Sequence, residues 1–330
     1  MLSRVANSIY WMSRNVERAE HLARFIEVTL NFILDQPDSS AEQWEPLVRA
    51  TGDEEYFKKH YGSCTSENVV QFLTFDRDYH SSIQASVANA RENARTVREA
   101  ISSEAWEQLN TFYHFVRDAP NTPGFVADAN FYTQIVHHSY HFNGIVDATM
   151  TRDAGWHFAN VGRLLERADK TSRILDVKYF TLLRNVGDIN TTYDDLLWSA
   201  VLRSVSGFEM FRKRYHALTV ERIVEFLILG RRFPRAVRYS IQQILYSLAE
   251  VAGPVPADQN EALIKAGQLV ARLDATNAET IINGGMHEFV DSLQTSLNGI
   301  GKAVHETYFA HRAFQKQSQY QNQQQQRQFQ

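Results

Sequence analysis

Along residues 2–34 apolar side chains return with a helical period. Val5, Ile9, Met12, Val16, Ala19, Ala23, Ile26, Leu30 and Ile33 share one arc at about 100° per residue, and Arg14, Glu17, His21 and Arg24 share the opposite one. Pro37 and the Asp38-Ser39-Ser40 run stop this helix. Residues 44–62 are mixed and end at Tyr61-Gly62, and the pattern predicts further helices over about 66–74, 79–100, 103–118 and 126–151. Ser102-Ser103 forms a cap signal ahead of Trp106, and Pro120–Gly124 reads as a loop. A second helical series follows over roughly 154–185, 193–214, 219–229, 233–251, 258–275 and 279–313, broken at Gly253-Pro254-Val255-Pro256. Asp258 and Glu261 have capping-box spacing, with Asp in the Ser/Thr role.

The second series echoes the first. Residues 14–28 read RNVERAEHLARFIEV and residues 163–177 read RLLERADKTSRILDV, with six of fifteen positions identical at an offset of 149. Unrelated segments of ordinary composition would share about one. Val70, Phe72, Leu73, Arg77 and Tyr79 correspond to Val224, Phe226, Leu227, Arg231 and Phe233 at offset 154, and Asn143-Gly144-Ile145 to Asn298-Gly299-Ile300 at offset 155. Three colinear matches predict a tandem duplication: a first repeat over 1–153, a second over 154–314, and a tail over 315–330. The expected architecture is an all-α helical bundle or array with pseudo-twofold symmetry, its two copies sharing one core. The tail holds ten Gln in 16 residues and has no means of building a core, so it reads as disordered.

Composition narrows the function classes. With 15 Gly and 7 Pro in 330 residues, turn residues are too scarce for a β-rich chain. One cysteine, Cys64, cannot form an intrachain disulfide and fits a reducing compartment. The opening residues have no signal-peptide core and no long apolar run spans a membrane, so the expected location is the cytoplasm. A net charge of −4 and the lack of an RNA-binding module argue against nucleic acid. The basic residues are 26 Arg to 8 Lys, a skew toward planar recognition of carboxylate or phosphate.

The doubled Glu-Arg core, in SIYWMSRNVERAEHLARFIEV and GWHFANVGRLLERADKTSRILDV, resembles the bacterial alpha-E family, an all-helical domain named for its Glu-Arg motif. The stretches at 81–110 and 225–241 resemble it too, so the likeness runs from residue 1 to about 312. One departure is local: Tyr79-His80 stands where Asn-Pro is expected before Ser81-Ser82. The resemblance implies a setting of circularly permuted ATP-grasp ligases, transglutaminase-like proteins and an NTN-hydrolase-type peptidase, together a peptide or amide synthesis and modification system. It implies that ATP and Mg enter through the partner ligase, since the chain has no Gly-rich phosphate loop of its own.

Two readings of the motif stand side by side. Arg14–Glu17, Glu17–His21, Glu20–Arg24, Arg163–Glu166, Glu166–Lys170 and Asp169–Arg173 have the spacing of ordinary helix ion pairs. Tyr10, Phe25 and Val28 share that polar side, which implies partial burial against the other copy. In the functional reading Glu17 and Glu166 are catalytic bases or amine binders, and Arg14, Arg18, Arg24, Arg163, Arg167 and Arg173 clamp an anion. Arg91 and Arg95, on one stripe with Arg98, and Arg231 and Arg235, around Phe233-Pro234, are further candidate anion ligands. His137 and His141 lie one turn apart but lack a metal motif, so no metal site is assigned, and Cys64 reads as incidental. The chain is thus either a component that binds or processes a carboxylate or amine substrate beside an ATP-grasp ligase, or a non-catalytic scaffold docking its partners. Homo-oligomer formation stays open.

Overall fold

The computed structural model describes residues 1–35, 40–183, 192–253 and 256–310. The helices are α1 (Ser3–Asp35), α2 (Ser40–Thr51), α3 (Glu54–Tyr61), α4 (Ser66–Val70), α5 (Ile83–Arg95), α6 (Ser103–Asp118), α7 (Ala129–Thr149) and α8 (Ala154–Leu183). They continue as α9 (Thr192–Ser204), α10 (Phe208–Arg214), α11 (Val220–Leu227), α12 (Val237–Ala252), α13 (Glu261–Asp274), α14 (Ala278–Asn283) and α15 (Met286–Val304). No strand occurs among the described residues, and the protein is all-α.

Helix starts follow local chemistry. Ser102 accepts from the Ala105 amide, as its position predicts. The helix expected from residue 79 begins later, because the Asp76 carboxylate accepts from the Asp78 and Tyr79 amides and holds a turn. Ser82 then caps α5 through the Ala85 amide. Asn260, not Asp258, caps α13, accepting from the Leu263 amide. The long helices expected over 193–214 and 279–313 are each divided. Ser206 at φ 51° and Gly207 separate α9 from α10, and Gly284-Gly285, with Gly285 at φ 94°, separates α14 from α15. The Pro37 helix stop, residues 184–185, Pro254-Val255 and the Gln-rich tail lie outside the described residues.

The two motif helices, α1 and α8, form the most extensive contact of the fold. They run side by side in the same sense: Gly155 lies against Met1 and Ile9, Gly162 against Tyr10, and Glu166 against Arg14 and Arg18. Around α1 pack α5 and α7, with α6 bridging them; around α8 pack α12 and α15, with α13 bridging them. One continuous apolar cluster, from Ala6 to Phe309, joins all of these helices.

The α1–α8 approach depends on a glycine. A Cβ on Gly162 would sit 2.3 Å from the Tyr10 carbonyl oxygen, against backbone that has no rotamer to yield. Gly162→Ala, which favours an isolated helix, is therefore expected to destabilise this one by about 1–3 kcal/mol, as overpacking does. The urea midpoint checks this, and an unchanged or higher midpoint contradicts it.

Candidate functional site

The polar faces of α1 and α8 meet in the middle of the protein. Arg18 grips Glu166 with two prongs, Nε to Oε1 at 2.7 Å and Nη2 to Oε2 at 3.1 Å. Arg167 grips Glu17 in return, Nε to Oε1 at 2.6 Å and Nη2 to Oε2 at 2.9 Å. Each Glu-Arg pair of the sequence is thus split, with its Glu held by the Arg of the other helix. Glu17 is 0% exposed and Glu166 1%, so the face that carries Tyr10 and Phe25 is buried, as those side chains imply.

Further cations close the arrangement. Arg14 donates from Nε to Glu166 at 2.8 Å and from Nη1 to the Tyr10 hydroxyl at 2.9 Å, with its guanidinium 5.0 Å from the Trp11 ring. Arg24 pairs with Glu20 and donates to the Tyr140 hydroxyl. Arg173 donates its Nε to Asp169 at 3.0 Å. Lys170 lies 3.3 Å from Asp169 and 3.7 Å from Glu166. Arg163 turns instead to the Asn160 side chain and Asp147, and its Nε has no partner among the described residues.

Arg235 is the largest departure from the sequence reading. Its sequence neighbourhood groups it with Arg231 around a turn, yet it is buried and reaches α1, donating to both oxygens of Glu20 at 2.9 and 3.0 Å and approaching Glu17 at 3.4 Å. Its own backbone carbonyl accepts from Thr171 of α8, so it ties both motif helices together. Arg231 is exposed and pairs with Asp274, which also binds Arg238. At the start of α12 the Arg238 amide is already bonded to the Ile228 carbonyl. Arg91 bonds to Asn110 and Arg95 to Glu92, both away from the motif helices. His137 and His141 are exposed, and His138 stacks on Phe112. Burial pushes the Cys64 thiol up, against activation as a nucleophile.

Electrostatics follow from these contacts. Burial alone would raise the carboxyl pKa of Glu17, but Arg167, the His21 hydrogen bond and Arg235 hold it well below the usual range. Glu166 is likewise held well below by Arg18, Arg14 and Lys170 against its burial. Glu20 is lowered to about 2 by Arg235 and Arg24, again against burial. Burial lowers His21, which sits with Nε2 3.2 Å from both Glu17 and the Arg235 guanidinium. Glu17, Glu20 and His21 are close enough together to suggest a cation site. Arg167, Arg24 and Arg235 already donate into those carboxylates, however, and a metal there would have to displace a guanidinium.

Two openings flank the lattice. At the Arg14 end lies a cleft of about 390 Å³, lined by Tyr10, Trp11, Arg14, Asp169, Lys302 and Glu306 among others. At the other end is a cavity of about 30 Å³ between α1, α2, the Tyr79–Ser81 turn and α8. No helix among the described residues is long and apolar enough to cross a membrane.

Residues 1–309 match the family described as "Alpha-E: A predicted alpha-helical domain with a conserved ER motif". Among similar sequences are the uncharacterized proteins Mb2597 of Mycobacterium bovis and Rv2567 of Mycobacterium tuberculosis, each 20% identical over 334 residues and 93% of this chain. The chain spans 37% of the length of each. No solved structure matches it. With the Glu-Arg pairs at the centre of an all-helical body and the match running over nearly all of the described chain, the protein belongs to the Alpha-E family.

Proposed function

We propose that this chain is a non-catalytic, substrate-binding helical component of a peptide- or amide-bond-forming system, acting with a circularly permuted ATP-grasp ligase and alongside transglutaminase-like proteins. ATP and Mg are handled by the ligase, and the assembly works in the cytoplasm. The observation that carries the non-catalytic reading is the saturation of Glu17 and Glu166: both are buried, and each is gripped bidentately by a guanidinium from the opposite helix. A general base needs a proton affinity near the working pH and access to the substrate. These carboxylates have neither. The cleft of about 390 Å³ falls in the size range of small-molecule sites and offers both signs of charge, through Arg14, Lys302, Asp169 and Glu306. That suits a molecule bearing an amine and a carboxylate.

The reciprocal Arg18–Glu166 and Arg167–Glu17 grips, and the matching neighbours of α1 and α8, support reading 1–153 and 154–314 as duplicated copies with pseudo-twofold symmetry around one core. The functional reading is tested by incubating the purified chain, the ligase, or both with ATP and amino acids, followed by mass spectrometry. The expected result is no amide product from the helical chain alone, and product from the ligase that increases when the chain is added. Amide formation by the chain alone would contradict the proposal.

A further inference from the structure

The buried lattice is made of two unequally charged groups. Around Glu17 and Glu20 stand Arg24, Arg167 and Arg235; around Glu166 and Asp169 stand Arg14, Arg18, Lys170 and Arg173. The second group therefore carries four cations for two carboxylates; Arg14 faces the larger cleft, and the other three face the 30 Å³ cavity. Arg18, Lys170 and Arg173 line that cavity, and no carboxylate appears among its described lining residues. Asp169 accepts from the Nε of Arg173, whose Nη1 lies beside Gly52. His21 also lines the cavity. Its side chain is 2% exposed, its Nε2 is turned to Glu17 and Arg235, and its Nδ1 is buried with no hydrogen-bond partner among the described residues. An orphaned buried polar atom beside surplus buried charge is costly unless something answers it.

Sequence register explains why the space exists. The offset of 154 that aligns Tyr79 with Phe233 aligns Ser81 with Arg235. Arg235 crosses from the α8 side and fills the α1 end with a guanidinium. Ser81, at the matching place, is too short to cross and instead lines the cavity facing Lys170 and Arg173. The space beside Glu17 and Glu20 is thus filled by a side chain of the protein itself, and the space beside Arg18, Lys170 and Arg173 is left open.

We propose that this cavity binds a carboxylate group, held by Arg18, Lys170 and Arg173 with the imidazole of His21 at its inner wall. Carboxylate is favoured over phosphate because the cavity is narrow and a planar two-oxygen group makes the smaller demand on it while still taking paired hydrogen bonds from guanidinium groups. The inference stands on this geometry and does not require the amide-forming reading, so the chain is tested without a ligase.

Acetate, glycine and inorganic phosphate are titrated separately into the purified chain at fixed ionic strength. Binding is followed by the imidazole nitrogen resonances of His21 and by thermal denaturation. The expected result is a saturating shift of the His21 signals and a rise in Tm with acetate and glycine, weakened about tenfold or more in Lys170→Met, the loss of one charge-assisted contact. Ser81→Glu, which tethers a carboxylate at the cavity, is expected to raise Tm without ligand and to abolish the response. A flat His21 response to acetate and glycine overturns the site, as does a response unchanged in Lys170→Met. Tighter binding of phosphate than of acetate overturns the carboxylate assignment. Should Lys170→Met fail to fold, the wild-type titration and Ser81→Glu still decide.

Discussion

Glu166→Gln is expected to cost about 3–5 kcal/mol of stability, the usual penalty for removing one partner of a buried ion pair. The carboxylate is 1% exposed and answers Arg14 at 2.8 Å, Arg18 at 2.7 Å and Lys170 at 3.7 Å. A neutral amide keeps the shape but leaves those three cations with Asp169 alone. Domains of ordinary stability hold only about 5–15 kcal/mol in total, so a large share would be lost. Arg95→Ala, at an exposed pair with Glu92, should fall within about 0.5 kcal/mol of zero. Urea midpoints of the two variants separate the central lattice from the outlying arginines. Equal, small effects would remove the lattice from the account.

Arg235→Ala is expected to be comparably severe, about 3–5 kcal/mol at neutral pH, although Arg235 lies far from the motif in sequence. It strips Glu20 of the nitrogen that donates to both of its oxygens and Glu17 of its second guanidinium. It should also change the acid response. Glu20 has a folded pKa of about 2, below an unfolded value of about 4.3. Its contribution is therefore present in full above that unfolded value and is lost as pH falls toward the folded one. Without Arg235 the folded pKa rises and this window narrows. The gap between wild type and variant, measured by urea unfolding at neutral pH and again near pH 3, should shrink in acid. A gap that stays constant or widens would mean that Arg235 stabilises by packing and not through Glu20.

Much of the frame was legible in the chain. The apolar arc of residues 2–34 and the capping serine at 102 placed α1 and α6 closely, because helix period and cap chemistry are local signals. Tyr10 and Phe25 beside Arg14 and Glu17 announced a buried polar face for the same reason. The break at Gly284-Gly285 was written in a residue pair that accepts positive φ, whereas at Ser206-Gly207 the positive φ falls on Ser206, and apolar periodicity on either side masked both. Arg235 could not have been placed by its neighbours: its partners Glu17 and Glu20 lie 218 and 215 residues away, and no local pattern encodes so distant a pairing. The grip of each Glu by the opposite helix was hidden similarly, since within one helix the same residues have the spacing of ordinary surface pairs. Lys170 and His21 looked like simple partners of Glu166 and Glu17. Only the packing of α1 and α8 with the Tyr79–Ser81 turn puts them on one cavity wall.

A non-catalytic role requires Glu17 and Glu166 to be locked anions and not working bases. The most direct measurement is the side-chain carboxyl carbon shift of each, followed by NMR from pH 8 downward. Both shifts should stay at ionised values until the protein unfolds in acid, because their folded pKa values lie well below the carboxylate range. Titration of either carboxyl in the folded protein with a midpoint between about pH 5 and 7, the range that suits a general base, would contradict the account.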